Sequence, residues 1–275
     1  MKLKILKPNG WCAGVKHSVE QLEKIITKHS PNNVYLLGDL VHNRAVMSRF
    51  KKAGVHIVND FKLIKHKNSV IVFPAHGTPT KQLNYARANF KHVYNLTCKI
   101  LLNNYKIIKK ISRKFVTLYY GYKDHPESKA ILSLSNKPSL VSSSSKLKIN
   151  KQYALVNQST IPLSSVKSIL NKLKFQTPHI KHIPTTCSAT QQRHNVITHL
   201  HGIDCLFVCG DEKSNNTIEL VKLSQRCNIP AALISNELEA QFFKPKKNLR
   251  YAIISGTSVE PSFFKAVCTI LKNKK

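Results

Sequence analysis

Residues 205–217 read CLFVCGDEKSNNT, an apolar run that breaks at a glycine into a polar turn and then enters a helical stretch. An apolar run this short, closed by a turn, reads as a buried strand, and a helix after the turn makes it the start of a parallel crossover. The pattern recurs in VYLLGDLVHNRAV (34–46), VIVFPAHGTPT (70–80), FVTLYYGYKDHPES (115–128), YALVNQSTIPL (153–163) and YAIISGTSVEPSFF (251–264). Six such runs alternating with helices predict an α/β protein with parallel sheets and right-handed crossovers. Ligands of such sheets sit at the carboxyl ends of the strands. The loops there carry His42, His76, His125 with Glu127, Ser159, Ser214 with Asn215 and Asn216, and Ser258.

Cysteines divide the chain evenly. Cys12 follows a short apolar strand and opens the helical run VKHSVEQLEKII, Cys98 lies in NLTCKILLNNYKIIKKI, and Cys187 in PTTCSATQQRHNVITHL. Each ends an irregular stretch and begins a helix. The first two are 86 positions apart, the next two 89, and 88 residues follow the third. This period exceeds that of solenoid repeats and predicts three similar small α/β domains at 13–97, 98–186 and 187–275, with a strand in 1–12 packing on the third.

Seven cysteines, an odd number without tight spacing, in a chain whose N-terminal MKLKILKPNG lacks a secretory signal, argue against a disulfide framework. No apolar run approaches the roughly 18 residues that span a bilayer, so a cytoplasmic protein without membrane association is expected. Three comparable thiols suit a 4Fe-4S cluster with one iron open, because soft thiolates favour such clusters. Zinc competes for thiols, but its structural sites use closely paired ligands. The one near pair, Cys205 and Cys209, lies on an apolar run and reads, with Cys227 and Cys268, as packing. Helix N-termini with Ser, Asn and His side chains suit a phosphate or diphosphate. Glu127 is the one acid among these donors and stands out as a proton source.

The formal net charge is +31, yet only seven of the 44 basic residues are arginine, and the lysines fall in separate places such as KLIKHK, KIIKKISRK and KPKK. Nucleic-acid recognition favours the arginine fork and interleaved aromatics. The lysine load reads as genome composition on tolerant surfaces, with a field that attracts anionic substrates or acidic partners. A basic nucleic-acid-binding protein is the alternative from another class, and it would show steep salt dependence without iron.

The motifs WCAGV, LVHNRAV, AHGT, TC before a helix, GYKDHPE, NQST, TTCSATQQR, SNNT and SGTS occur in register from Cys12 to Ser258. Together they resemble the 4-hydroxy-3-methylbut-2-enyl diphosphate reductases, the LytB/IspH family. The resemblance implies a pseudo-threefold trefoil of three α/β domains around a central cavity, and one 4Fe-4S cluster per chain held by Cys12, Cys98 and Cys187. It implies diphosphate contacts from His42, His76, His125, Ser159, Ser214, Asn215, Asn216 and Ser258, a proton-relay Glu127, and a ferredoxin- or flavodoxin-type electron donor. The implied reaction is reductive dehydroxylation to isopentenyl and dimethylallyl diphosphate, the last step of the non-mevalonate pathway. Three departures stand out. Ser159 replaces the usual threonine, Lys99 follows Cys98 where proline is usual, and the loop after Ser258 carries an extra residue before Pro261. A degenerate, inactive family member is compatible with such drift, although no cluster or acid–base residue is lost.

Overall fold

Among the described residues, 2–64, 66–135 and 137–274, the computed structural model contains twelve strands in three sheets, with every pairing parallel. Strand β1 is Leu3–Ile5. Strands β2 (Val34–Leu37), β3 (His56–Val58), β4 (Val70–Phe73) and β5 (His92–Asn95) form one sheet in the order β3-β2-β4-β5. Strands β6 (Val116–Tyr120), β7 (Ser139–Leu140), β8 (Tyr153–Asn157) and β9 (Lys181–His182) form another in the order β7-β6-β8-β9. Strands β10 (Cys205–Cys209), β11 (Ala231–Ile234) and β12 (Tyr251–Ser255) complete the third, β1-β12-β10-β11. Read from its other edge, the third sheet repeats the order of the first two, with β1 as its fourth strand.

The six apolar runs became the central strands. In β4, β8 and β12 every residue is buried, as a sheet covered on both faces requires. The sequence pattern did not reveal β3, β5, β7, β9 and β11. All five are edge strands, and segments such as HIV, HVYN and KH need no continuous apolar run because only one neighbour covers them.

Helices α1 (Ala13–His29), α2 (Arg44–Lys52), α3 (Thr80–Asn89), α4 (Lys99–Ile111) and α5 (Pro126–Leu132) precede α6 (Leu163–Lys174), α7 (Ser188–Thr198), α8 (Asn215–Arg226), α9 (Glu237–Phe242) and α10 (Pro261–Lys272). The fourth strand of each sheet leads to a cysteine and a helix: β1 to Cys12 and α1, β5 to Cys98 and α4, β9 to Cys187 and α7. This repeated topology accounts for the even spacing of the thiols. No helix is long and apolar enough to cross a membrane among the described residues.

The chain separates into two compact units. The first comprises Met1–Val15, His42–Val46 and Cys187–Lys275. Alternate residues of its strands serve two cores. Phe207 and Ile253 meet Phe264, Val267 and Leu271 of α10, whereas Leu206, Val208 and Ile254 meet Ile197 of α7 with Leu220 and Leu223 of α8. Cys209 and Cys268 pack in the former core, and burial raises both thiols, Cys268 to about 11. The second unit comprises Lys16–Val41 and Met47–Thr186 and holds the other two sheets. Val166, Ile169 and Leu173 of α6 cover Leu118 and Leu155, while Ile108 of α4 and Ile131 of α5 cover Tyr119 and Val156. Each such side chain contributes roughly 1.5–3 kcal/mol.

His194 of α7 is an exception to this apolar packing. It is 2% exposed, and neither ring nitrogen has a hydrogen-bond partner among the described residues. Burial, with the charges of Arg226 and Arg193, lowers its pKa from 6.5 to about 4. A histidine depressed on folding contributes stability that is full above pH 6.5 and is lost as pH falls toward 4, because only the unfolded chain takes the proton. The loss amounts to about 3 kcal/mol. Hydrogen exchange of α7 and α8 at pH 7.5 and pH 5 should show about 2 kcal/mol of this loss, and a His194→Gln variant should flatten it.

Candidate functional site

In the second unit Glu127 follows the N-cap of α5 and is 2% exposed. One carboxylate oxygen accepts the backbone N–H of Ser159 at 2.8 Å, and the other accepts the Ser159 hydroxyl at 2.6 Å. Burial raises the carboxyl pKa from 4.5 to about 7, and the two bonds from Ser159 restrain the rise. Burial therefore favours the protonated acid far more than in an exposed carboxyl. Ser159 thus makes the hydroxyl contact that threonine would make, so its lost methyl leaves the bond in place.

His125 caps α5, its Nδ1 accepting the N–H of Glu127 at 3.1 Å. An accepting Nδ1 puts the proton of the neutral ring on Nε2, where it can be donated to an anion. His76 meets this ring edge-on at 6.2 Å between centroids. Gly77 beside it has φ +90°, and a Cβ there would lie 2.0 Å from the Tyr105 hydroxyl. That hydroxyl is buried without a partner among the described residues, and burial followed by the charges of Glu127 and Cys98 holds the phenol protonated. Tyr119, whose hydroxyl meets Ser128 at 3.1 Å, is raised in the same way. Neither tyrosine was singled out in the sequence. The glycine in AHGT was the available signal of a close approach.

Cys98 is the N-cap of α4 and half-buried. Thr97 before it donates its N–H and hydroxyl to Asn95 Oδ1 at 3.1 and 2.6 Å, and Cys98 N–H donates to Ala75 at 3.0 Å. Lys99 is exposed. A similar lock precedes the third cysteine. Thr185 accepts the N–H of Asn157 at 2.8 Å and donates its hydroxyl to that residue's carbonyl, and Asn157 Nδ2 donates to Thr186 at 2.7 Å.

In the first unit Cys187 is the N-cap of α7, and Cys12 directly precedes α1, its Sγ 3.5 Å from the N–H of Val15. Cys12 N–H donates to Thr257 at 3.0 Å. Ser214 caps α8, accepting the N–H of Thr217 at 3.4 Å. Asn216 accepts the N–H of Thr257 at 2.9 Å and donates to Thr190 at 3.3 Å, so it braces the loop that carries Ser258. Ser258 donates its hydroxyl to the His42 carbonyl at 3.0 Å, and Asn43 Nδ2 donates to the Ser258 carbonyl at 2.7 Å. These bonds fix the loop. The Asn215 side-chain amide is buried without a partner among the described residues, at the N-terminus of a twelve-residue helix, where an anion is favoured.

A cavity of about 470 Å³ adjoins these loops, but Asp211, Glu212, Glu237 and Glu260 line it and Arg44 is paired with Asp211 and Glu212. Its charge suits an anion poorly. No disulfide occurs among the described residues, which include all seven cysteines. Nor does any group of three His, Cys, Asp or Glu side chains among them form a single-ion site. Half-buried thiols at helix starts are the ligand type that iron–sulfur clusters take.

The chain matches the family model described as LytB protein over residues 3–272. It is 29% identical to the 4-hydroxy-3-methylbut-2-enyl diphosphate reductase of Malacoplasma penetrans, over 100% of this chain and 98% of the relative. It is 31% identical to the enzyme of the same name from Wolbachia pipientis subsp. Culex pipiens, over 86% of this chain and 80% of the relative. The solved structure of the E-1-hydroxy-2-methyl-but-2-enyl-4-diphosphate reductase from Plasmodium falciparum has the same fold. It aligns with a TM-score of 0.90 at 24% identity, over 99% of this chain and 88% of that one.

Two substitutions test this geometry. Ser159→Ala removes one of the two bonds that restrain Glu127 and should move its carboxyl titration upward by on the order of one pH unit, read by infrared difference spectroscopy, while Ser159→Thr should leave it in place. Gly77→Ala should cost at least about 2 kcal/mol in thermal melts through backbone strain and overlap. Adding Tyr105→Phe should recover the overlap part alone.

Proposed function

The chain belongs to the LytB family, and from that premise we propose that it is an iron–sulfur reductase converting 4-hydroxy-3-methylbut-2-enyl diphosphate to isopentenyl and dimethylallyl diphosphate. Reductive removal of the hydroxyl takes up two electrons and two protons and releases water. On this reading Cys12, Cys98 and Cys187 hold one 4Fe-4S cluster, which when bound supplies the electrons and an open iron for the substrate hydroxyl. The segments 13–97, 98–186 and 187–275, with the strand in 1–12 on the third, are then three repeats around that centre, the trefoil implied by the family.

His42, His76, His125, Ser159, Ser214, Asn215, Asn216 and Ser258 bind and orient the diphosphate. His125 offers its Nε2 proton, Asn215 an uncommitted amide, and α8 its N-terminal dipole. Ser258 and Asn216 hold their loop in shape. Glu127 delivers a proton from its carboxyl and is reset from solvent, with Ser159 keeping both oxygens oriented. The observation that carries the reading is this buried carboxyl, raised to about 7 by burial and bonded by two neutral donors of Ser159. The donor is a ferredoxin- or flavodoxin-type protein, drawn by the +31 charge, and the enzyme works in the cytoplasm on a small molecule rather than on nucleic acid.

Anaerobic reconstitution with iron and sulfide, followed by reduced viologen and the hydroxylated diphosphate, tests the proposal. Substrate-dependent dye oxidation is expected, and Glu127→Gln should slow it at least about 100-fold with the cluster still bound. Cys→Ser at position 12, 98 or 187 should lower iron content. A protein that keeps iron without any of these three thiols would contradict the ligand set.

A further inference from the structure

Arg193 is the largest of the fully buried side chains, 2% exposed, on α7 in the first unit. Its guanidinium is spent on backbone carbonyls from three places. Nε donates to Ser255 at 2.9 Å, Nη2 to Gly10 at 2.7 Å and Nη1 to Ala189 at 3.1 Å. Gly10 lies two residues before Cys12, Ala189 two residues after Cys187, and Ser255 ends the strand that leads to Ser258. Gly10 N–H donates in turn to the Ser255 hydroxyl at 2.7 Å. One side chain therefore ties together the backbone next to Cys12 and Cys187, two of the six cysteines of this unit.

Its charge is not neutralised by an acid. Arg193 makes no ion pair with a carboxylate among the described residues, whereas the other buried ionised contacts of the unit do, as Glu219 does with Arg226 and Lys222. Leaving a cation buried without a counter-charge costs several kcal/mol, so such a group persists where an anion compensates it. The thiols of Cys12 and Cys187 lie two residues along the chain from its bonded carbonyls at Gly10 and Ala189.

We propose that Arg193 is the positioning residue and buried counter-cation of the centre held by Cys12 and Cys187, fixing their spacing through its three carbonyl bonds and raising the reduction potential of the bound cluster. The inference rests on the cluster reading above. A positive charge close to a centre stabilises the form that has gained an electron. Fork and charge are separable. Arg193→Lys keeps the charge and loses the three-way fork, while Arg193→Gln loses both.

The test uses reconstituted holoprotein of the full chain, without substrate. The cluster is titrated with dithionite and mediator dyes and followed by electron paramagnetic resonance, and iron release to a chelator is timed. Arg193→Gln should lower the ratio of reduced to oxidised cluster at a fixed potential at least tenfold, a displacement of about 59 mV for one electron. Arg193→Lys should stay within threefold of wild type in that ratio yet release iron several times faster. An unchanged midpoint in the Gln variant overturns the charge role, and unchanged iron retention in the Lys variant overturns the positioning role. If only Arg193→Lys folds, the same two readings on it decide: a displaced midpoint or wild-type retention overturns the inference. If neither folds, Arg193 belongs to folding alone and the inference falls. Wild-type protein that binds no cluster overturns the cluster reading itself, whereas a bound cluster with unaltered variants overturns only the inference.

Discussion

The pairing of β1 with β12 is the contact on which the arrangement of the first unit depends. Leu3, Lys4 and Ile5 lie in register with Tyr251, Ala252 and Ile253, and the association continues beyond the strand through Leu6 to Ile253, Gly10 to Ser255 and Cys12 to Thr257. A three-residue edge strand is marginal alone. These further bonds extend it until the thiol of Cys12 and the loop of Ser258 start from the same end of the sheet. Without β1 the third sheet would lack its fourth strand, and the segment that carries Cys12 would be untethered. The other sheets obtain the same strand from within the chain, so their cysteines come from the turn that follows it.

Placing a thiol where a helix begins leaves its neighbours to hold it. The backbone before Cys98 and before Cys187 is pinned by threonine hydroxyls against asparagine, Thr97 on Asn95 and Thr185 with Thr186 on Asn157. Asn104 of α4 also donates to the Thr185 carbonyl at 2.9 Å, so the helix opened by one cysteine steadies the segment before the next. Short polar side chains suit this work because they bond locally to backbone and to each other. Arg193 does the corresponding work around Cys12.

The central strands were legible because burial on both faces demands an unbroken apolar run, and VIVF, YALV and YAII have no other plausible place. Edge strands such as Lys181–His182 were not, since their identity lies in a ladder bond with β8 that local sequence does not encode. Among site residues, those at strand ends announced themselves as polar groups after apolar runs. Tyr105 did not, because a tyrosine within a helical repeat looks like ordinary packing until its hydroxyl is found against Gly77. Arg193 left a fainter trace. In a chain with seven arginines, a buried one on α7 marks a place where lysine would not serve, yet that inference needs the burial first.

Glu127 illustrates how narrow the electrostatic margin is. Desolvation alone pushes a buried carboxyl upward by several pH units, leaving a protonated acid too weak to give its proton at neutral pH. A neighbouring cation would lower the pKa by about 1–3 units and leave a carboxylate with nothing to give. Asp204 shows the second outcome, held below the usual range by hydrogen bonds from Arg250. Two uncharged donors from one residue, the N–H and hydroxyl of Ser159, oppose desolvation only partly, and the balance falls at about 7. In a chain with 44 basic residues and 13 acidic ones, a cation is the default neighbour of any carboxylate. Bonding this carboxyl to two neutral donors of Ser159, rather than to a cation, is what separates it from ion-paired Asp204 among the described residues.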